Sequence, residues 1–558
     1  GSRPAMAAVS GFWAVLITCN VGLSVALVAM ICASPLDHAL NPWQASVAIA
    51  YFVAILTWVQ AEAVQQLGIS PAFTRLQLSE MASALGSSDE EDGDDKSEGD
   101  APTGCVPAIS DSYLGFLRAA AEMGVIMIVM YICDRTSLVG KGPKHASKPE
   151  FWGVFLLLVL LSFFGLRKSH DSKVSTVADV KPLQREQTEE WKGWMQVMFL
   201  LYHYWMAAEM YNAIRMFIAA YIWMTGFGNF SYYYTKEDFG MPRFVQMMWR
   251  LNFLVFFVCL TLNNEYMLYY ICPLHTLFTV MVYATLWLGH TRNRANATFL
   301  MGKIFGMLLL STLIWDVPGV FDTLSAPLTP LLRYSGDLYQ GNRAALYEWH
   351  FRSYLDHFVW IFGMLIAYGF PKFDAWLNKL DIDEERQTIR WAAIAAVSSV
   401  FAAWFVLIGC KGKFEYNALH PYTSFIPIGC YIFLRNSTRW LREHVLPAWC
   451  EIGKYTLETY ICQFHIWMRT TGENGNPKSL LVFLPGWFWL NFVVVSAFYV
   501  FLSIRLFKIT LALKDICVPN DVRAIVINVS KIGSGAVGFA ALGLATHRAF
   551  ALPNNASA

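Results

Sequence analysis

Residues 9–33 read VSGFWAVLITCNVGLSVALVAMICA, a run that contains no charged side chain. A helix needs about 20 mostly apolar residues to cross the hydrocarbon core of a bilayer, within a range of about 17–25. The run is unbroken, whereas a lipid-facing barrel strand alternates between apolar and polar positions. This segment therefore predicts a membrane-spanning helix or a signal anchor.

Similar apolar runs recur along the whole chain. The 194–226 run is too long for one straight span and is long enough for two elements, and the 422–434 run is short enough to be re-entrant. The sequence predicts an all-α polytopic membrane protein with about 13–15 transmembrane or re-entrant helices. The further runs are 43–61, 113–132, 151–166, 194–226, 244–262, 266–289, 299–315, 354–370, 391–409, 422–434, 446–468, 480–506 and 524–547.

The composition agrees with a membrane protein. Of the 558 residues, 56% are hydrophobic and only 15% are charged, whereas an average soluble protein carries about 25% charge. The mean hydropathy is +0.40. This excludes a soluble enzyme, a disordered protein and a disulfide scaffold. The net charge of +1 gives no indication of a nucleic-acid partner.

Polar segments divide the chain into five parts. The most polar is 67–111, which contains the acidic run SSDEEDGDD at 87–95 and is predicted to be a disordered loop. The predicted parts are N-terminal membrane helices at 1–66, the acidic loop at 67–111, two membrane helices with a basic loop at 112–184, a large membrane domain at 185–510, and a C-terminal membrane helix and tail at 511–558.

Basic residues in short loops predict the orientation, because such loops stay on the cytosolic side. The 167–193 loop carries six Lys or Arg residues and the 34–42 loop carries none. We therefore expect a cytosolic N-terminus and a cytosolic 167–193 loop. The four basic residues in 133–150, which this orientation places in the lumen, count against it.

Ionisable and amide side chains interrupt the apolar runs. Such groups are costly at membrane depth and usually face a bundle interior or a wet cavity. For any one of them, pairing across helices is the simpler interpretation, but the whole set indicates a shared polar cavity. The set comprises His203, Glu209, Arg215, Arg250, Glu265, His275, Asp356, His357, Glu458, His465, Asn212, Asn252, Asn263 and Asn264.

His203 is the strongest catalytic candidate in this set. It follows Lys192, which closes the basic loop, by eleven residues, or roughly 16 Å of helix. That depth is near the middle of a core roughly 30 Å thick. A neutral imidazole there can take a proton from an alcohol near neutral pH. Spacing alone leaves a histidine hydrogen-bonded between helices as an equal alternative.

Two segments resemble the signatures of the acyltransferase-three superfamily of membrane O-acyltransferases. Lys192 and Gly193, predicted to open a helix that carries Leu201-Tyr202-His203, are similar to its R-x10-H pattern, with Lys in place of Arg. A lysine would meet phosphate as a point charge and not as a bidentate fork. Ile452-Gly-Lys-Tyr-Thr-Leu-Glu-Thr-Tyr-Ile-Cys-Gln-Phe-His465 is similar to its G-K-x-S-Y-x-x-Y-L-x-H segment.

A closer resemblance, over about 185–510, is to the plant reduced wall acetylation family, which is related to fungal capsule and animal sialic-acid O-acetylation proteins. It implies an acyltransferase-three-like helical bundle in the Golgi membrane that uses cytosolic acetyl-CoA to supply acetyl groups for O-acetylation of cell-wall polysaccharides in the lumen. The matching segments include QTEEWKGWMQ at 187–196, YNAIR at 211–215, WMTGFGNFS at 223–231, MWRLNF at 248–253, LNNEYMLYYICPLH at 262–275, EWHFRS at 348–353 and LETYICQFHIW at 457–467.

The resemblance and the chemistry of acetyl transfer together imply roles for particular residues. Phosphates of coenzyme A favour Lys and Arg, and a catalytic histidine needs an orienting partner. We expect Glu265, Asp356 or Glu458 to orient His203. No metal is expected, although Cys272/His275 and Cys462/His465 form C-x-x-H pairs, since a zinc site needs about four ligands. The predicted sites are catalytic His203, Glu265 and His465; coenzyme A-binding Lys192, Arg215, Arg250, Arg435 and Lys454; and a substrate path of Asn263, Asn264, His275, His350 and Arg352.

Three functional questions stay open at this point. His203 either deprotonates an acceptor hydroxyl or takes the acetyl group itself. The chain has no G-D-S motif of the esterase-like domain that animal relatives carry, so the last transfer falls either to this chain or to a separate lumenal acetyltransferase partner. The alternative function is a transporter of acetyl-CoA or an acetyl carrier, and a scaffold for lumenal transferases is a third. The expected partners are the lipid bilayer and a polysaccharide acceptor or a lumenal transferase.

Overall fold

The computed structural model of the protein describes residues 3–33, 40–66, 111–169, 181–336, 344–382 and 386–550. The predicted acidic loop at 67–111 lies outside these residues except for Asp111. In chain order the helices are α1 (Arg3–Ala33), α2 (Pro42–Gln66), α3 (Asp111–Arg135), α4 (Lys148–Phe163), α5 (Arg185–Tyr204), α6 (Tyr211–Lys236), α7 (Met241–Leu262), α8 (Ile271–Trp287), α9 (Ala297–Trp315), α10 (Val320–Ser325), α11 (Thr329–Leu332), α12 (Tyr347–Leu355), α13 (Val359–Ile382), α14 (Gln387–Trp404), α15 (Lys413–Thr423), α16 (Phe425–Asn436), α17 (Arg439–Glu443), α18 (Pro447–Lys454), α19 (Thr456–Cys462), α20 (Phe488–Cys517) and α21 (Val522–Phe550).

Nine stretches of helix in the described part of the chain are long and apolar enough to cross a membrane, and α8 is a shorter apolar helix. The predicted all-α polytopic membrane class is confirmed. The predicted count of 13–15 elements is higher because several apolar runs form shorter or more polar helices. The 422–434 run, for example, forms the 12-residue helix α16.

The 194–226 run divides into two helices, as its length suggested. Helix α5 ends at Tyr204 and α6 begins at Tyr211. Met206 between them has a φ of 50°, in the left-handed region that a continuing helix does not visit. Trp205 fixes the turn, because it is fully buried and its indole N–H donates to Glu150 Oε2 at 2.7 Å.

The chain forms two compact units. The first comprises Gly1–Val129 and Lys508–Ala558, and the second comprises Met130–Phe507. In the first unit, α1 packs against α2, and both pack against α21. A part-buried polar contact joins α1 to α2, where Asn20 Nδ2 donates to Gln60 Oε1 at 2.7 Å.

The second unit has two ends that are marked by short strands. At the sheet end, an antiparallel sheet has the strand order β1 (Gly140–Pro143), β5 (Pro477–Val482), β4 (Met468–Thr470). At the basic end, β2 (Arg167–Lys168) pairs with β3 (His444–Val445). Helix α4 leads from β1 to β2, and α18 and α19 lead from β3 back to β4.

Glycines allow helices of the second unit to cross closely. A Cβ on Gly193 of α5 would lie 1.9 Å from the carbonyl oxygen of Trp449 in α18, and a Cβ on Gly453 of α18 would lie 1.9 Å from the carbonyl oxygen of Glu189 in α5. Small residues let membrane helices approach in this way. The two sequence signatures, Lys192-Gly193 and Gly453-Lys454, therefore meet at one helix crossing.

Candidate active site

His203 lies in the last turn of α5 with an accessible imidazole. The ring packs edge-on against Phe199 and Tyr202, at centroid distances of 4.7 and 5.0 Å. The side chain is half-buried, and neither ring nitrogen makes a hydrogen bond to another described residue. Both nitrogens are therefore available to a substrate.

Two cations, Lys144 and Arg352, act on the His203 ring. Arg352 lies over the ring of Tyr270 at 4.1 Å, and its Nε donates to Glu348 Oε1 at 2.6 Å. Lys144 lies in the connection between β1 and α4, where burial lowers its pKa to about 8. A base within electrostatic reach of cations suits acyl transfer, because cations can stabilise the oxyanion that develops in the transition state.

None of the three carboxylates predicted to orient His203 bonds to it among the described residues. Each binds another group instead, because a buried carboxylate needs its own donors or cation. Glu265 accepts from the Ser335 N–H at 2.7 Å, Asp356 from Arg215 Nη2 at 3.2 Å, and Glu458 from Arg250 Nη2 at 3.0 Å.

His465 lies at the centre of a buried hydrogen-bonded network near the sheet end. It belongs to a π-helical turn, Gln463–Trp467, and such turns occur often at functional sites. Its Nδ1 donates to Asp134 Oδ2 at 2.9 Å, so its Nε2 accepts from the hydroxyl of Tyr269 at 2.6 Å. Asp134 also accepts from the backbone N–H of Thr470 in β4 at 2.7 Å. One tautomer of His465 is thereby fixed.

Asn264 extends this network toward α3. Its amide nitrogen donates to the Tyr269 hydroxyl at 3.0 Å, and its amide oxygen accepts from Arg135 Nη2 at 2.8 Å and from the Asn474 N–H at 2.9 Å. His465 and Asn264, which were predicted for a catalytic site and a substrate path, therefore share one buried cluster.

Asp134 is the member of this cluster that the sequence interpretation missed. The predicted apolar run ends at residue 132, which places Asp134 and Arg135 in the loop that follows. Both are in fact in the last turn of α3 and at most 7% exposed. The available signal was an acid–base pair directly at the end of an apolar run.

A single turn connects the two catalytic histidine candidates. Tyr269 binds His465, and the next residue, Tyr270, lies beneath Arg352, which acts on His203. The structure therefore brings His203, Arg352 and His465 to the two sides of this turn, whereas the side chain of Glu265 binds Ser335 and Arg333 and neither histidine.

Each of the five cations predicted to hold coenzyme A phosphates lies against a carboxylate. The three arginines join separate helices, and the two lysines pair within their own helices. The pairs are Lys192–Glu189 (2.7 Å), Arg215–Asp356 (3.2 Å), Arg250–Glu458 (3.0 Å), Arg435–Glu190 (3.0 Å) and Lys454–Glu451 (2.6 Å).

Lys192 does not open its helix, so that part of the sequence prediction was wrong. Helix α5 begins at Arg185, and its first two turns bury Gln187 and Glu190. Glu190 accepts from Arg435 in α16, and this contact holds the polar start of α5 inside the protein. Lys192 lies two turns in and is 26% exposed.

The remaining residues of the predicted substrate path lie in different places. Asn263 ends α7 in the left-handed conformation, with a φ of 52°. His350 packs against Phe321 with ring centroids 4.5 Å apart, and its Nε2 has no partner among the described residues. Neither residue contacts the His465 cluster through a described hydrogen bond.

In the two C-x-x-H pairs, each histidine forms hydrogen bonds to groups other than the cysteine of its pair. His275 Nδ1 lies 2.7 Å from Thr225 Oγ1, and His465 is held by Asp134 and Tyr269. Within the described ranges, no group of three or more His, Cys, Asp or Glu side chains is arranged to hold a metal ion.

We expect Asp134→Asn to lower the melting temperature. The change leaves Arg135 buried without its neighbouring anion and removes the carboxylate that fixes His465, and breaking a buried charge pair costs about 3–5 kcal/mol. Thermal unfolding of the purified protein, followed by tryptophan fluorescence, measures the effect. Asp322→Asn, at an exposed acid in α10, is the matched control. Equal melting of Asp134→Asn and wild type would contradict a stabilising role.

The chain is similar to a family of known proteins. A family model described as the 10-transmembrane acyl transferase domain found in Cas1p matches residues 40–530. The chain is also similar to the N-acetylneuraminate (7)9-O-acetyltransferase of Danio rerio, with 32% identity over 434 residues, which cover 73% of this chain and 51% of that protein. The chain therefore spans about half the length of the curated relative that it matches. No solved structure matches the chain.

Proposed function

The chain belongs to the family of the 10-transmembrane acyl transferase domain found in Cas1p, and from this premise we propose that it is a membrane O-acetyltransferase that takes its acetyl group from acetyl-CoA. The acceptor is a hydroxyl group of a carbohydrate. The name of the 32% identical relative, an O-acetyltransferase of N-acetylneuraminate, supports the reaction class. The resemblance to plant reduced wall acetylation proteins supports the finer proposal of cell-wall polysaccharides as acceptors and the Golgi membrane as the location.

One observation carries this proposal: His203 has an imidazole with no hydrogen bond to another described residue, within electrostatic reach of Lys144 and Arg352. In a membrane protein, the ring nitrogens of a structural histidine normally form hydrogen bonds to neighbouring groups, because a buried polar group without a hydrogen bond is costly. In contrast, a catalytic base must keep one nitrogen available for the proton that it abstracts.

The residues present can perform the transfer by either of two routes. In the first, His203 takes the proton of the acceptor hydroxyl, the oxygen attacks the thioester carbon, and the departing thiolate takes that proton from the imidazolium. In the second, a nitrogen of His203 attacks the thioester, and coenzyme A leaves as the thiol with the proton of the imidazole. The acceptor hydroxyl then attacks the acetyl-imidazole, the bond between carbon and nitrogen breaks, and the hydroxyl proton returns to the imidazole. In both routes Arg352 and Lys144 stabilise the tetrahedral oxyanion.

Acetyl transfer by the purified protein tests the proposal. The full chain is reconstituted in nanodiscs and incubated with acetyl-CoA labelled in the acetyl group and with a polysaccharide acceptor. We expect labelled acceptor together with free coenzyme A thiol. Intact acetyl-CoA and unlabelled acceptor would contradict an enzyme. Movement of unchanged acetyl-CoA into liposomes that contain the protein would then favour the transporter.

We expect Lys192→Ala to weaken coenzyme A binding by about 10-fold, the effect of losing one charge-assisted hydrogen bond. Lys192 pairs with Glu189 only within its own helix, and such pairs contribute about 0.2–0.5 kcal/mol, so a phosphate can displace the carboxylate. Titration of purified protein with coenzyme A measures the dissociation constant.

Lys413→Ala, which removes one exposed lysine from α15, is the control for lost charge. An unchanged dissociation constant in Lys192→Ala would remove Lys192 from the binding site. It would leave the acetyl-transfer proposal untouched, because labelled transfer is measured separately.

A further inference from the structure

A polar cavity of about 860 Å³ lies at the basic end of the second unit. Ligand pockets commonly have volumes of about 300–1,000 Å³. Its walls come from the segment before α5, from the C-terminal half of α6 and from the middle of α13, including Lys181, Gln184, Phe227, Ser231 and Phe370.

Gln184 is one of the wall residues of this cavity, and its side chain carries an unsatisfied acceptor. The side chain is 8% exposed, and its Nε2 donates to the backbone carbonyl of Arg442 at 3.3 Å. Because a carbonyl can only accept, this bond fixes which way the amide points. The remaining Oε1 is buried and has no partner among the described residues. A small movement of the wall that exposes this oxygen would let a ligand donate a hydrogen bond to it.

The rest of the wall combines aromatic rings with one cation. Phe230 and Tyr234 stack at 5.3 Å, and Phe227 and Phe370 meet edge to face at 5.8 Å. Lys181 is exposed at the same cavity. Aromatic rings bind nucleobases by stacking, lysine binds phosphate, and an amide oxygen accepts from the exocyclic amine of adenine.

We propose that this cavity binds the adenosine 3′-phosphate end of coenzyme A, with adenine stacked on the aromatic wall, its amine toward Gln184 and phosphate at Lys181. The inference rests on the proposed function, since it places the donor substrate. Helix α6 connects the cavity to the predicted phosphate residue. Tyr221 lies six residues, or about 9 Å, before Phe227, and its hydroxyl donates to the Lys192 carbonyl at 2.7 Å. Along α5, Lys192 leads on to His203.

Two variants of the full chain test the site. Ser231→Phe fills the cavity, and Lys181→Glu reverses its charge at an exposed position where folding is not at stake. We expect each to raise the dissociation constant of coenzyme A by about 10-fold or more. Adenosine 3′,5′-bisphosphate should compete with coenzyme A for wild type and lose this ability in the variants. Any competition by pantetheine, which lacks the nucleotide, should be the same in wild type and in the variants.

The matched controls are Ser399→Phe, at an exposed serine of α14, and Lys413→Glu. Melting temperatures verify that every variant is folded. Wild-type affinity in Lys181→Glu, or no competition by the bisphosphate, would overturn the site. If the variants lose affinity for coenzyme A but wild-type protein transfers no acetyl group, the proposed function is contradicted and the cavity site is supported. Acetyl transfer with an unchanged KM for acetyl-CoA in both variants would support the proposed function and contradict the cavity site.

Discussion

Replacing His203 with alanine will slow acetyl transfer by about 100- to 10,000-fold, the contribution of a general base, while coenzyme A binding stays within about twofold of wild type. The ring makes no hydrogen bond within the described residues, so its removal leaves no broken network behind. The phosphates are expected to bind at Lys192 and beyond, roughly 16 Å along α5. Labelled acetyl transfer and the melting temperature are measured on the same preparation.

His290→Ala, which removes an exposed imidazole, is the matched control and should behave as wild type. Added imidazole should restore part of the activity of His203→Ala, because a small base can enter the space that the side chain leaves. A structural role predicts the opposite pattern, with a lower melting temperature and no rescue. A folded His203→Ala protein that retains more than about a tenth of the wild-type rate would remove His203 as the base. His465 would then take its place.

Substituting Gly193 or Gly453 with alanine will produce the largest loss of folded protein. At both positions the new Cβ would lie 1.9 Å from a carbonyl oxygen of the opposite helix. Backbone cannot move aside as a side chain can, so the α5–α18 crossing must open. Overpacking costs about 1–3 kcal/mol and sometimes more, which exceeds the gain of about 1 kcal/mol in helix propensity from Gly to Ala.

Size-exclusion profiles and melting temperatures in detergent measure this effect. Gly228→Ala in α6 and Gly302→Ala in α9 are the controls, because an added Cβ at either glycine meets no atom within 4 Å. These controls should melt at or above the wild-type temperature. Unchanged melting of Gly193→Ala would show that the helices are farther apart than the structure has them.

The helical architecture was predictable because hydrophobic length is a local property of the sequence. The run at 194–226 exceeded one span, and the structure breaks it at 205–210. Helix ends were harder to predict. Residues 185–191 are polar, and the sequence predicts a loop there. In the structure they belong to α5, and Glu190 is buried because Arg435 binds it. The short strands were not predicted, since β1 finds its partner only in β5.

The sequence predicted which polar residues belong to the candidate site better than it predicted the residues that pair with them. Polar residues inside apolar runs identified His203, His465, Arg215 and Arg250 as a set. Their partners depend on side chains from distant parts of the chain, such as Glu458 for Arg250. No spacing rule gives such a pairing. The sequence therefore suggested Glu458 as a partner for His203, whereas the structure pairs it with Arg250.

The contact between Asp134 and His465 also constrains the biogenesis of the protein. The two residues are 331 positions apart, and at about 5–20 residues per second a ribosome needs roughly 15–70 s to make the chain between them. During that interval α3 has entered the membrane with Asp134 and Arg135 but without the imidazole that later covers them. The nascent chain must therefore hold this end of α3 near water or be protected by the insertion machinery. Chains truncated before residue 465 should be substrates for membrane quality control.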